Sequence, residues 1–225
     1  DRLQSAGYKT LLVHEPGTTP LGQYLRSWLK REKSKNEDVS ILAELLLFAS
    51  ARAELVSKVI GPSLTEGSTI VISDRYTDST VAYQGFGRRI PLKDVDQVNR
   101  LATSDTMPNL TFLLDLIPNK GLDRVGTAQS RLPLDPADAM SIGRGDKEGS
   151  RRFEEESSGF HERVRNGYLE LARNEPERWR IIDATEPVDR IAAQIWSHVE
   201  ELLLKTRQCD STASQGDLPL LGNRD

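Results

Sequence analysis

Residues 69–84 read Thr-Ile-Val-Ile-Ser-Asp-Arg-Tyr-Thr-Asp-Ser-Thr-Val-Ala-Tyr-Gln, an apolar run that ends at an acid and an arginine. The run is typical of a buried strand, and it places Asp74 and Arg75 where that strand meets its loop. In an open α/β sheet, ligands bind at the carboxyl ends of the strands. A carboxylate there can hold Mg²⁺, and a guanidinium can grip phosphate oxygens. The stretch therefore predicts a phosphate site, although a salt-bridged strand end explains an isolated Asp-Arg pair at least as well.

Short apolar strands alternate with longer helical patterns along the chain. This alternation is typical of a doubly wound parallel sheet with helices on both faces, so the predicted fold class is α/β. The predicted strands are residues 10–13, 69–73, 110–115 and 180–183. The strongest helical pattern runs from about Asp38 to Ile60, and Pro62 is expected to end it.

Composition limits the possible functions. With 225 residues, 37% of them hydrophobic, the chain can bury one substantial core. The net charge of −4 gives no basic stripe, so neither nucleic acid nor a membrane surface is an expected partner. Cys209 is the single cysteine and cannot form an internal disulfide, which fits a reducing cytoplasm. No run of 18 apolar residues is present.

Three further stretches surround the pair Asp74-Arg75 in a fixed order, and Tyr83-Gln84-Gly85 follows it. They are Glu15-Pro16-Gly17-Thr18-Thr19-Pro20-Leu21-Gly22, Phe48-Ala49-Ser50-Ala51-Arg52 and Arg151-Arg152-Phe153-Glu154. The set resembles thymidylate kinase of the bacterial type, which phosphorylates dTMP to dTDP with ATP and Mg²⁺. The resemblance runs from Asp1 to about Leu204. It implies a nucleoside monophosphate kinase fold at residues 1–205 with a lid at about 124–153, a disordered tail at 206–225, a homodimer and a cytoplasmic location.

The resemblance also implies roles for residues of the acceptor site. Phe48 would stack on the thymine base, and Arg52, one helical turn later, would hydrogen-bond its edge. Without the resemblance, Phe48 is more typical of a core and Arg52 of a solvated surface. The phosphate of dTMP would bind Arg75, with Asp74 in the Mg²⁺ and phosphate network. The other substrate-binding residues implied are Glu15, Pro16, Thr80 near the base and sugar, Tyr83 against the 2′ position, and Gln84 at the border of the pocket.

On the donor side, the resemblance implies that lid residues Arg144 and Arg152 stabilise charge on the moving phosphoryl group. Phe153 would lie near the substrate, and Ala184 with Thr185 would lie beside the adenine of ATP. The alternative for the lid is a solvated charged loop without catalytic contact. The chain departs from the family pattern through His14 in place of Arg, Thr18 in place of a second Gly, Arg151 where an Asp is common, and an insertion at residues 132–138.

A phosphate-binding loop of the form G-x-x-x-x-G-K-[ST] does not occur in the sequence. The resemblance places that loop and a central strand upstream of Asp1, so we expect roughly 20 further residues there. We also expect the printed residues alone to fold poorly and to be inactive, because a central strand would be missing. Three functions stay open: a dTMP kinase, a kinase for another nucleoside monophosphate or a deoxynucleoside, and a non-catalytic nucleotide-binding protein.

Overall fold

The computed structural model describes residues 1–29, 39–67, 69–117 and 156–213. The strands are β1 (Lys9–His14), β2 (Thr69–Asp74), β3 (Thr111–Asp115) and β4 (Trp179–Asp183). The α-helices are α1 (Arg2–Ser5), α2 (Pro20–Leu29), α3 (Ile41–Leu55), α4 (Gly61–Thr65), α5 (Thr77–Thr80), α6 (Leu92–Thr103), α7 (Ser158–Asn174) and α8 (Val188–Ala213). Two π-helical segments are Val56–Ile60 and Val81–Gly87. The four predicted strands are confirmed, with bounds that differ by at most one residue.

The described strands pair two by two. β1 and β2 are parallel, with Lys9 opposite Thr69 and His14 opposite Asp74. β3 pairs with β4, and the bonds from Thr111 N to Arg178 O and from Ala184 N to Asp115 O advance in the same sense along both strands. The register of β1 and β2 brings the carboxyl ends of both strands to the same edge.

The chain divides into two compact units. The first comprises Asp1–Thr111 and Ile117–Trp179, and the second comprises Phe112–Leu116 and Arg180–Asp225. In the first unit, one buried cluster is formed by Val13, Leu55, Val56 and Ile60, and another by Ala82, Phe160 and Val164. In the second unit, the ring of Phe112 lies 6.3 Å from that of His198. No described helix has the length and apolar character needed to cross a membrane.

The β1–β2 pair buries only one face, so the expected burial of the whole strand at residues 69–73 is wrong. Leu11 and Val71 pack with the fully buried Val13, whereas Leu12 is 55% exposed and Ile72 is 42% exposed. Successive side chains of a strand point to opposite faces, which accounts for this alternation. The apolar run of the sequence is therefore a half-buried strand.

The long helix differs from its predicted bounds at both ends. Ser40 caps α3, because its hydroxyl accepts a hydrogen bond from Ala43 N at 3.2 Å. At the other end, the chain passes through the π-helical turn into α4, so the prediction that Pro62 ends the helix is wrong. The Gly61 N–H donates to Val56 O, five residues earlier. This wider turn relieves the clash that a proline ring makes with a regular α-helix.

Two predictions near the carboxyl terminus also need correction. The sequence predicts a helix over residues 153–174, but α7 begins at Ser158 with Ser157 as its cap. Helix α8 extends to Ala213, into the segment 206–225 that was predicted as a disordered tail. The predicted lid at about 124–153 lies outside the described residues, as do residues 214–225 of the tail.

Candidate active site

The turn after β2 presents Asp74 and Arg75 at the sheet edge. Arg75 has φ = 69°, a left-handed conformation that is uncommon for a residue with a side chain. The Ser73 hydroxyl donates to Arg75 O at 2.6 Å, and Glu15 N donates to Asp74 O at 3.2 Å. The Asp74 side chain is 71% exposed, and the Arg75 guanidinium lies 5.1 Å from the centre of the Tyr83 ring. The Asp74 carboxylate is therefore open to solvent at this edge, and the Arg75 guanidinium lies beside the Tyr83 ring.

A second arginine, Arg52 of α3, is buried, with only 1% of its surface exposed. Its Nε donates to Glu15 Oε2 at 3.0 Å, and its Nη2 donates to Glu15 Oε1. Nη2 also donates to Thr80 Oγ1 at 2.8 Å, and Nη1 donates to Asn99 Oδ1 at 2.6 Å. The partners come from the turn after β1, from α5 and from α6. Arg52 is therefore no solvated surface charge but the centre of a buried polar cluster.

The electrostatics of this cluster are set by burial and by the ion pair. Burial raises the pKa of the Glu15 carboxyl, and the attraction and hydrogen bonds of Arg52 oppose part of that rise. The Tyr76 ring lies 5.5 Å from Arg52 Cζ, and burial raises the pKa of its hydroxyl. That hydroxyl donates to Thr106 O at 3.1 Å. The guanidinium thus has a carboxylate beside it and an aromatic face nearby.

The turn at residues 14–19 is closed by its own side chains. Thr18 Oγ1 accepts from His14 N at 2.7 Å, and Thr18 N donates to His14 O at 3.1 Å. The Glu15–Pro16 peptide is cis, and Arg26 Nη1 donates to Pro16 O at 3.1 Å. The threonine that replaces the family's glycine therefore stabilises the turn that carries Glu15. His14 Nδ1 lies 3.8 Å from Asp74 Oδ2.

A third arginine, Arg88, forms ion pairs with Glu44 of α3 and with Glu156, which lies just before α7. Its Nε and Nη2 donate to the two carboxylate oxygens of Glu44 at 3.1 and 3.3 Å, and its Nη1 donates to Glu156 at 2.6 Å. The buried Gln84 donates from Nε2 to Glu44 at 3.0 Å. Glu44 and Arg52 lie eight residues apart on α3 and share a helix face. The predicted border residue Gln84 is thereby fixed on the face that carries Arg52.

The Tyr83 ring is enclosed by aromatic neighbours. Its centroid lies 6.1 Å from that of Phe160 and 6.4 Å from that of Tyr168, both in edge-to-face contact. The Tyr168 hydroxyl donates to Ser79 Oγ at 2.8 Å, and burial raises the pKa of Tyr168 to about 12. Tyr83 therefore has little freedom to change its rotamer.

The structure brings together several predicted site residues in the first unit. Glu15, Arg52 and Thr80 are in direct contact, and Arg75 contacts Tyr83. Phe48 lies one turn before Arg52 on α3 and is half-buried. The predicted lid residues Arg144, Arg152 and Phe153 lie outside the described residues. The predicted adenine contacts Ala184 and Thr185 belong to the second unit, where Thr185 N donates to Asp183 Oδ1 at 2.8 Å.

Sequence reasoning missed Glu44 and Asn99. Glu44 carried a usable signal, because a charged residue at helical spacing from Phe48 and Arg52 interrupts an apolar run. Asn99 carried no such signal, because it lies on α6, 47 residues away from Arg52 along the chain.

A divalent cation fits this site through Asp74. Within the described residues, no group of three or more His, Cys, Asp and Glu side chains could hold a metal ion. Mg²⁺ does not require such a cage, because it keeps several waters and is bound through one or two carboxylates and the phosphates of the substrate. Asp74 supplies one exposed carboxylate, and the phosphates of a bound substrate and water would supply the other ligands.

Comparisons with known proteins identify the family of this chain. The family model described as thymidylate kinase matches residues 1–195. The chain belongs to the thymidylate kinase family. It is 43% identical to a thymidylate kinase of Syntrophotalea carbinolica over 196 residues, which are 87% of this chain and 83% of the relative. It is 44% identical over 204 residues to that of Synechococcus sp. strain JA-3-3Ab, with 91% and 87% covered.

A solved thymidylate kinase shares the fold. The crystal structure of the enzyme from Ehrlichia chaffeensis is similar with a TM-score of 0.56 and 30% sequence identity, covering 80% of this chain and 79% of that one. The predicted fold class, an α/β fold of the P-loop nucleoside monophosphate kinase type, is thereby confirmed. Members of the thymidylate kinase family are phosphotransferases.

Proposed function

We propose that the protein transfers the terminal phosphoryl group of ATP to the 5′-phosphate of dTMP, which forms dTDP for dTTP synthesis. The observation that carries this proposal is the contrast between two arginines of the site. Arg52 is buried and paired with Glu15, whereas Arg75 is exposed at the end of β2 beside Asp74. The two guanidinium groups therefore suit two different parts of a nucleotide.

The hydrogen bonds of Arg52 favour the binding of an uncharged base over that of an anion. A guanidinium has five N–H donors, and hydrogen bonds to Glu15, Thr80 and Asn99 use four of them. The edge that could grip an anion with two hydrogen bonds is occupied by Glu15, which also balances the charge. The remaining N–H can donate to one uncharged acceptor, such as a base carbonyl. Phe48, one helical turn away, supplies a flat ring for stacking.

Arg75 suits the phosphate of the acceptor. Its guanidinium lies 5.1 Å from the centre of the Tyr83 ring, and a guanidinium can give two N–H groups to phosphate oxygens. The neighbouring Asp74 would hold Mg²⁺, which when bound neutralises charge on the phosphates. Because the acceptor is already an anion, no strong general base is needed, and Arg75 contributes alignment and charge stabilisation. The lid arginines Arg144 and Arg152 would act on the transferred group.

The sugar and the donor base have proposed neighbours as well. Tyr83 is held by Phe160 and Tyr168, and a rigid ring against the 2′ position would exclude a ribose hydroxyl. Ala184 and Thr185 would lie beside the adenine of ATP, where backbone groups suffice for contact. Glu15, Pro16, Thr80, Gln84 and Phe153 complete the proposed substrate-binding set.

The proposal includes a homodimer and a cytoplasmic location. Support for the dimer comes from α3, where Ile41, Leu42 and Leu46 are 48%, 59% and 47% exposed. A row of exposed apolar side chains on one helix is suited to a partner surface. The location is supported by the single cysteine of the chain.

Calorimetry and product analysis test the function. We expect the protein to bind dTMP more tightly than dCMP or AMP. A form that carries the phosphate-binding loop should produce dTDP with ATP and Mg²⁺ but not after chelation of the metal. Asp74→Asn should lower the rate of dTDP formation while dTMP binding is retained. Equal binding of all three nucleotides, or phosphorylation of AMP in preference to dTMP, would overturn the proposal. Binding of dTMP is measured separately from dTDP formation. The dTMP site is thereby tested independently of the ATP site.

A further inference from the structure

Asn99 contacts Arg52 in the buried cluster, and the proposed reaction gives it no role. Its side chain is buried on α6, and it bridges two groups of the site. Oδ1 accepts from Arg52 Nη1 at 2.6 Å, and Nδ2 donates to Thr77 O at 3.3 Å. The amide is thus anchored on the backbone of α5 at one end and on the guanidinium at the other.

This arrangement determines how many donors Arg52 can offer. Glu15 takes the edge formed by Nε and Nη2, and Thr80 takes the second hydrogen of Nη2. Asn99 takes one hydrogen of Nη1, which leaves one N–H. Without Asn99, two hydrogens of Nη1 would be free, and the guanidinium would be held from the Glu15 and Thr80 sides only.

We propose that Asn99 is a positioning residue that sets the base selectivity of Arg52, an inference that rests on the proposed function. Thymine carries a carbonyl at C4 and a hydrogen at N3, whereas cytosine carries an amino group at C4 and an unprotonated N3. When the remaining N–H of Arg52 meets C4 of the base, it matches the thymine carbonyl and opposes the cytosine amino group. A guanidinium with two free hydrogens on Nη1 can turn toward the cytosine N3 and accept both bases.

Two substitutions at Asn99 separate positioning from packing. Asn99→Leu keeps a similar volume and removes both hydrogen bonds of the amide. Asn99→Asp keeps an oxygen acceptor for Arg52 and loses the donor to Thr77 O. Thr103→Val is the matched control, because the fully buried Thr103 hydroxyl donates to the backbone oxygen of Asn99 at 3.0 Å and does not contact Arg52. The control therefore removes a buried hydrogen bond of the same helix without changing the guanidinium.

The measurement is the ratio of dTMP affinity to dCMP affinity by calorimetry, with melting temperature recorded for each variant. We expect Asn99→Leu to lower the ratio about threefold to tenfold, which corresponds to one hydrogen bond. Asn99→Asp should restore a ratio close to that of the unmodified protein, and Thr103→Val should leave it unchanged although its melting temperature falls. If Asn99→Leu does not fold, Asn99→Ala replaces it in the same comparison.

The outcomes distinguish this inference from the proposed function. A folded Asn99→Leu or Asn99→Ala protein with an unchanged ratio would overturn the role of Asn99, and so would an equal drop in the ratio for Thr103→Val. Failure of the unmodified protein to prefer dTMP would instead contradict the proposed function. If the ratio of dTMP affinity to dCMP affinity falls in Asn99→Leu and returns in Asn99→Asp, the result supports both the role of Asn99 and the proposed function.

Discussion

The pair formed by Arg52 and Glu15 makes a residue-level prediction about pH. Arg52→Met leaves the buried Glu15 without its cation, and loss of one partner of a buried pair costs about 3–5 kcal/mol of unfolding free energy near neutral pH. Burial then raises the Glu15 pKa without the opposing attraction of Arg52. The folded-state pKa lies above the ordinary value of 4.5, so the stability contributed by the protonated carboxyl is present below that value and is lost as pH rises through the folded-state pKa.

Urea unfolding from about pH 5 to about pH 8 measures this dependence. We expect the Arg52→Met protein to lose more stability than the unmodified protein as the pH rises. Adding Glu15→Gln to the same variant should remove the additional slope, because the titrating group is then gone. Parallel pH profiles for Arg52→Met and the unmodified protein would contradict this, because they would show that Arg52 does not change the titration of Glu15.

At the scale of elements, the π-helical segment Val81–Gly87 depends on a close approach to α7. A Cβ added at Gly87 would lie 2.6 Å from Phe160 Cε2 and 3.0 Å from Val164 Cγ2. Both side chains are buried and have little room to move. Gly87→Ala should therefore lower the unfolding free energy by about 1–3 kcal/mol, as overpacking does in cores.

Gly159→Ala is the matched control for this contact. Gly159 lies in the first turn of α7, where the nearest atom to an added Cβ is Arg163 Nη1 at 3.7 Å. Because alanine favours a helix over glycine, this change should leave stability equal or raise it by up to about 1 kcal/mol. Equal melting temperatures for the two alanine variants would contradict the packing of Val81–Gly87 against α7.

Elements were predictable from sequence where the signal is local. The four strands follow from short apolar runs, and the shared face of Phe48 and Arg52 follows from helical spacing. The passage of the helix beyond Pro62 was not predictable, because it depends on a π-helical turn at Val56–Ile60. The hydrogen-bond partners of Arg52 could not be predicted from the sequence either. Glu15, Thr80 and Asn99 come from distant parts of the chain, and only the fold brings them together.

At the scale of the whole molecule, an ion pair joins residues 100 positions apart in the chain. Arg178 donates from Nη1 and Nη2 to the two oxygens of Asp78 at 2.7 and 2.9 Å, and both side chains are about nine-tenths buried. This pair links α5 to the segment that enters β4. Asp78→Asn should lower the unfolding free energy by about 1–3 kcal/mol, because the largely buried Arg178 loses one carboxylate and keeps its pair with Glu175 at 2.9 Å.

Asp96→Asn is the control with the same chemical change. Asp96 pairs with Arg100 at 2.9 Å, but these side chains are 58% and 65% exposed. An exposed pair one helical turn apart contributes little to the unfolding free energy, because solvent screens it. Chemical denaturation of both variants measures the difference, and a cost for Asp96→Asn as large as that for Asp78→Asn would contradict the role assigned to the buried pair.

The claim that Arg52 contacts the base and Arg75 contacts the phosphate carries the proposed function. It is tested by calorimetric titration of the unmodified protein and of Arg75→Met with dTMP and with thymidine, which has the same base and sugar but no phosphate. We predict that Arg75→Met loses affinity for dTMP and keeps its affinity for thymidine, because the proposed function assigns the phosphate to Arg75 and the base to the Arg52 cluster. Equal loss of affinity for both ligands, or no loss for dTMP, would contradict the claim.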